Sequence, residues 1–204
     1  MDPAISINTI AYEGYDLTTA LQEIAKIGAG HVELGYTRGF TEGLTEAHFS
    51  EASAIKINRL LSDLGLSSIA LSAHIDLTTE DAVDELKRRI DFGNAFTYSK
   101  GEIDPAFDYK EALPHACYLH LKDMNKIDDG WLFSQIGEGV VSYDIILKEL
   151  VEEEKMLPLS IEHLFIYAAT KNLIVQRKAK APQLDQIRKS LKASYEYVKS
   201  FIRT

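Results

Sequence analysis

Ala116-Cys117-Tyr118-Leu119-His120-Leu121-Lys122-Asp123 and its counterpart Leu157-Pro158-Leu159-Ser160-Ile161-Glu162-His163 decide how this chain is read. Each is an apolar run that ends in polar and charged residues. Between them lie a Gly137-Glu138-Gly139 turn and a charged helical segment from Ser142 to Lys155, so the unit reads strand, helix, strand. Side chains alternate sides along a strand. Tyr118, His120 and Lys122 therefore share one side, as do Ser160 and Glu162. Leu119, Leu121, Leu159 and Ile161 take the other side. Parallel strands joined by a helix carry ligand sites at their carboxyl ends. His120 and Glu162 are expected side by side, pointing at one space, whereas His163 has the wrong parity and reads as structural.

The same rhythm precedes this unit. Ile5-Ser6-Ile7-Asn8-Thr9-Ile10 alternates as a strand does. Asp16 is the expected N-cap of a helix carrying Leu17, Leu21, Ile24 and Ile27, which Gly28 and Gly30 end. His31-Val32-Glu33-Leu34-Gly35 is a second strand. A helix from about His48 to Leu64 follows, then a third strand, Ser68 to Ile75, with Ala70, Ser72 and His74 as its inner set. Thr78 with Asp81 resembles a capping box for a helix running to about Ile90. The last helix begins near Pro182, with Leu184, Ile187, Leu191, Tyr195, Val198 and Ile202 as its stripe. Five strands alternating with helices imply an α/β fold with a parallel sheet. No strand is read between Arg89 and Leu113, where Asp104 to Leu113 looks like a short helix.

Composition narrows the function classes. The 204 residues are 46% hydrophobic, enough for one buried core, and are read as a single domain over 1–204. A net charge of -9 argues against nucleic acid or an anionic membrane as partner, and a cation is a more natural guest. Cys117 is the one cysteine, expected inside a strand, so no internal disulfide can form. A reducing compartment, the cytoplasm, fits best. The opening residues are too polar for a signal peptide, and no apolar run is long enough to span a membrane.

Taken together, several short motifs resemble the xylose isomerase-like TIM barrels, a family of sugar isomerases and epimerases that includes the endonuclease IV-like barrels. They are Ile5-Ser6-Ile7-Asn8-Thr9, Glu33-Leu34, Ser72-Ala73-His74-Ile75-Asp76-Leu77, Asp91-Phe92-Gly93-Asn94, His120-Leu121-Lys122-Asp123, Gly137-Glu138-Gly139 and Ile161-Glu162-His163, in the family's order. The resemblance implies that the strands are the family's seventh, eighth, first, second and third, adjacent in that order. The fourth, fifth and most of the sixth are absent, as if roughly 70 residues were removed near 90–91 from a barrel of about 250. An incomplete barrel exposes two sheet edges, so a homo-oligomer, or poor solubility as a monomer, is expected.

The resemblance also implies a divalent metal (Mn, Zn, Mg or Co) with His120, Glu162 and Asp91 as ligands; the family's fifth-strand Glu has no counterpart here. Such an ion polarises a carbonyl or hydroxyl pair and stabilises an enediolate. By the same resemblance Glu162 and His74 handle protons, and Glu33 and Lys122 contact the sugar or polyol. The residues alone leave alternatives open. His74 reads equally as a hydrogen-bonded core imidazole, Asp91 as the solvated end of a helix, and Glu33 as a cap on the barrel mouth. Lys122 either binds a substrate oxygen or neutralises Glu162. The implied activity is a metal-dependent sugar isomerase or epimerase. The alternative is a non-catalytic barrel that binds a sugar-like ligand or serves as a scaffold.

Overall fold

The computed structural model describes residues 3–36, 51–73, 90–91, 116–155, 157–170, 175–177 and 180–202. Its central element is a parallel sheet in the order β3-β2-β1-β8-β5-β4. The strands are β1 (Ile5–Asn8), β2 (His31–Tyr36), β3 (Ser67–Ala73), β4 (Ile90–Asp91), β5 (Leu119–Leu121) and β8 (Leu159–Ile161). Every pairing in this sheet is parallel, from β2–β3 at one edge to β4–β5 at the other. The expected spatial order, with strands near 116, 158, 5, 31 and 67, is the order observed.

Parity makes this sheet two-faced. Ile7, Val32, Leu119, Leu121, Leu159 and Ile161 are fully or almost fully buried on one side. They pack with α1 (Leu17–Ile27), α2 (Glu51–Asp63), α3 (Tyr143–Glu152) and α4 (Leu184–Ile202) into one hydrophobic core. The helices form where capping and periodicity agree. Asp16 accepts the Thr19 N–H at 2.8 Å to open α1, and Gly28, at φ 89°, closes it in the left-handed region that favours glycine. Ile187, Leu191, Val198 and Ile202 recur along one buried face of α4. Leu21 has no exposed surface at the centre of this core. Leu21→Ala is expected to cost about 2–5 kcal/mol through lost burial and a residual cavity, measurable as a lower urea midpoint at unchanged slope.

Two features differ from the sequence expectation. The chain forms more than five strands: β6 (Asp123–Ile127), β7 (Gly130–Ser134), β9 (Tyr167–Thr170) and β10 (Val175–Arg177) make a second, antiparallel sheet in the order β10-β9-β7-β6. Met124, Trp131 and Ala169 form its own small core. The signal was present, because Asp128-Asp129-Gly130 is a hairpin turn between two short runs. Secondly, Ile90–Asp91 is not strand-free. It pairs in parallel with β5, Asp91 opposite His120, which removes the reading of Asp91 as a helix end. Cys117 is exposed and lies just before β5 rather than inside it. The helix expected from Thr78 to about Ile90 lies outside the described residues up to 89, and Ile90 itself is in β4; the short helix over 104–113 lies outside them, as do His48, His74 and His115. Among the described residues no helix is long and apolar enough to cross a membrane.

Candidate active site

The other face of the parallel sheet is polar. Ser6 and Asn8 from β1, Glu33 from β2, Ser72 from β3 and Ser160 from β8 are all buried there. Tyr118, His120 and Lys122 from β5 and its flanks face the same side, with Glu162 immediately after β8. A closed barrel of this kind usually fills its interior with branched apolar residues. Here a hydrogen-bonded network takes that position.

His120 is its centre. The Nε2–H donates to Glu33 Oε1 at 2.9 Å, and the Nδ1–H donates to Glu162 Oε2 at 3.1 Å. Lys122 Nζ also donates to Glu162 Oε2, at 3.2 Å. Glu33 takes further bonds from the Tyr118 hydroxyl at 3.0 Å and from the Ser72 hydroxyl. Asn8 Nδ2 donates to Ser72 Oγ at 3.5 Å, and Ser6 Oγ lies 3.1 Å from the Tyr118 hydroxyl. Two carboxylates thus flank one imidazole, with an ammonium closing the circuit.

The charges sustain one another. Burial pushes the His120 pKa down, but the hydrogen bonds to Glu162 and Glu33 outweigh it and raise it to about 10. Burial pushes Glu33 and Glu162 up. Against it, the His120 bond holds Glu33 below the usual carboxylate range, and Lys122 with His120 does the same for Glu162. Burial also raises Tyr118 well above an ordinary phenol, with the Glu33 charge adding to the shift. A pH dependence follows by linkage. The raised His120 pKa contributes stability fully present below its unfolded value of 6.5 and lost as the pH rises through about 10. The lowered Glu33 and Glu162 values contribute stability present above their unfolded 4.5 and lost as the pH falls through the folded values. Urea midpoints should therefore fall on both sides of neutrality, and the alkaline loss should be absent in His120→Gln.

Just behind the site, Asp123 fixes the chain. Its Oδ1 accepts the N–H of Met124 at 2.9 Å and of Val141 at 3.2 Å, and its Oδ2 accepts those of Gly137 and Gly139, both at 2.9 Å. Burial raises its pKa, and the four donors oppose that rise. The Gly137-Glu138-Gly139 turn is thereby tied to the residue after Lys122. A Cβ at Gly139 would overlap the Asp123 carboxylate, which is why glycine stands there.

No protein-family model matches the sequence, and no curated protein does. Solved structures do match. A xylose isomerase-like TIM barrel/4-hydroxyphenylpyruvate dioxygenase fusion protein superposes with a TM-score of 0.59 at 11% identity, over 100% of this chain and 44% of that one. An L-ribulose 3-epimerase gives 0.57 at 12% identity, over 98% of this chain and 94% of that one. A D-psicose 3-epimerase from Clostridium cellulolyticum H10, in complex with D-tagatose, gives 0.56 at 8%, over 98% and 100% of the two chains. The fold is that of the xylose isomerase-like TIM barrels, incomplete among the described residues, which form six parallel strands. At these identities the likeness is one of fold alone.

Within this xylose isomerase-like sheet, the expected neighbours His120 and Glu162 do meet. Glu33 joins them from within β2, as the partner of the second ring nitrogen of the imidazole. Lys122 neutralises Glu162, one of its two sequence readings. His163 stacks on Phe165 with ring centroids 3.6 Å apart, outside the cluster. His31, at a strand start, bonds Ser67 Oγ at 2.7 Å. Tyr118 and Ser72 share the parity of the site residues but carry no charge pattern that marks them from sequence.

The described donors do not make up a divalent-cation site. His120 Nδ1 and Glu162 Oε2 are close enough to serve one ion, but Glu33 lies on the opposite ring nitrogen, and among the described residues no three His, Cys, Asp or Glu groups are arranged to hold one ion. Asp91 is described only by its backbone, beside His120. Both ring nitrogens of His120 are donors here, and Lys122 already sits on Glu162. A cavity of about 340 Å³ touches the cluster at Glu33, Tyr118 and His120 and extends past Cys117 and Pro158, just before β5 and β8; Glu162 and Lys122 do not line it.

Proposed function

We propose that this chain binds a sugar or related polyol and isomerises or epimerises it slowly through an enediolate-type intermediate. The observation that carries this reading is the pair of carboxylates, Glu33 and Glu162, flanking His120 with Lys122 alongside. In such a site a carboxylate takes a proton from the carbon next to the carbonyl. The Lys122 ammonium and the His120 imidazolium donate hydrogen bonds to the oxygens on which charge develops. The proton returns to the neighbouring carbon for isomerisation, or to the opposite face of the same carbon for epimerisation. Seryl and tyrosyl hydroxyls around the cluster suit a polyhydroxy ligand.

The rate should be low for a stated reason. A general base works best with a pKa near the operating pH, and both carboxylates are held below their ordinary range. A second reading, sugar binding without turnover, is favoured by the saturation of Glu33, which already accepts from Ser72, Tyr118 and His120. Incubation with a panel of ketoses and aldoses in D₂O, followed by proton NMR, separates the two. Deuterium entering at the carbon beside the carbonyl, and lost in Glu162→Gln, supports proton transfer. Ligand-induced thermal stabilisation without deuterium uptake supports the binding reading. Neither effect with any sugar overturns both.

A further inference from the structure

We infer that Lys122 holds, in this chain, the place that a divalent cation would take beside Glu162, so that the polar face of the sheet is assembled without a metal ion. The argument is one of geometry and charge. Glu162 Oε2 is shared by two cationic donors, Lys122 Nζ at 3.2 Å and His120 Nδ1 at 3.1 Å. The second ring nitrogen of His120 is spent on Glu33 at 2.9 Å. Lys122 is 4% exposed, Glu33 2% and Glu162 6%, so these groups meet one another with little water between them.

Two carboxylates and two cations sum to zero. A buried cluster of this kind persists when each charge is paired and hydrogen-bonded. A divalent ion entering between His120 and Glu162 would need a bare nitrogen lone pair and ligand atoms at ~2.0–2.2 Å. It would have to expel the Nδ1 proton and displace the ammonium, or leave a net double positive charge in a buried site. Lys122 is therefore the group that decides between a metal-free and a metal-binding state, which its place in the His-Leu-Lys-Asp run does not announce. The inference stands whether or not the chain turns over a sugar, because its readout is ion binding.

The experiment uses the full 204-residue chain, stripped with a chelator and titrated with Mn²⁺ and Zn²⁺ by calorimetry, with thermal melts alongside. The wild type should give no site-specific heat and no shift in Tm with either ion. Lys122→Met removes the resident cation, and a single site should appear, about tenfold or more tighter than anything in the wild type, because opposite and like charges a few Å apart in a partly buried site interact strongly. Adding Glu162→Gln to that variant should remove the gained site. Should Lys122→Met be too unstable to titrate, the same inference is read from its melt: Zn²⁺ should raise its Tm and leave that of the wild type unmoved. One equivalent of either ion bound by the wild type and lost in His120→Ala would overturn the inference. So would a Lys122→Met chain that gains neither a site nor ion-dependent stabilisation.

Discussion

Replacing His120 by alanine is expected to destabilise the chain by about 3–5 kcal/mol at neutral pH, the range for removing one partner from a buried ion pair. The imidazole is the only group that touches both Glu33 and Glu162 within the described network. Without it Glu33 keeps two neutral hydroxyl donors, Tyr118 and Ser72, and Glu162 keeps Lys122. Two negative charges then share a buried space with one cation. Urea unfolding of wild type and variant measures the loss. The sign of its pH dependence is a second check. Orphaned buried carboxylates have raised pKa values, so they protonate, and shed their repulsion, as the pH falls from neutral. The deficit of His120→Ala should therefore be largest near neutrality, shrinking on acidification and shrinking again as the pH rises toward about 10, where wild type loses its imidazolium. A deficit below ~1 kcal/mol at neutral pH, in the range of exposed ion pairs, would mean the three residues do not form one unit.

Asp123→Ala is expected to cost about 4 kcal/mol. Its carboxylate satisfies four backbone donors from Met124, Gly137, Gly139 and Val141. Each buried donor left without an acceptor costs ~1–3 kcal/mol, while the glycine amides, only partly buried, can recruit water. Asp123→Asn keeps one acceptor oxygen and places an NH₂ among donors, so it should fall between alanine and wild type. Chemical denaturation gives the ranking, and hydrogen exchange at Gly137, Gly139 and Val141 gives the location. If the asparagine variant matched wild type, the carboxylate would not be the organising acceptor of the turn. Gly139→Ala attacks the same contact from the other side, since its methyl would overlap Asp123.

Much of this was legible without coordinates because it depends on local rules. The alternation in Tyr118-Leu119-His120-Leu121-Lys122 assigns each residue to a face as soon as the run is a strand, and the buried leucines confirm the phase. The caps of α1 at Asp16 and Gly28 were readable for the same reason. The strand order followed from the family resemblance together with the requirement that neighbouring strands remain paired. The β6–β7 hairpin is hard to read although Asp128-Asp129-Gly130 announces a turn, because the apolar runs either side are short and Asn125 and Lys126 interrupt them. The two-residue strand Ile90–Asp91 could not be read from pattern, since it exists only by pairing with β5.

The site divides along the same line. Sequence parity alone determined that His120 and Lys122 share a face, that Glu162 lies on the site side of its own strand, and that His163 does not. Only the tertiary structure decided which carboxylate meets which nitrogen. Glu33 reaches His120 across 87 positions of chain, and nothing in either local stretch encodes that contact. Pleat and hydrophobic burial fix the direction of a side chain within a few residues. The pairing of charges depends on the register of strands brought together from distant parts of the chain, and there the polar groups settle by satisfying one another once water is excluded.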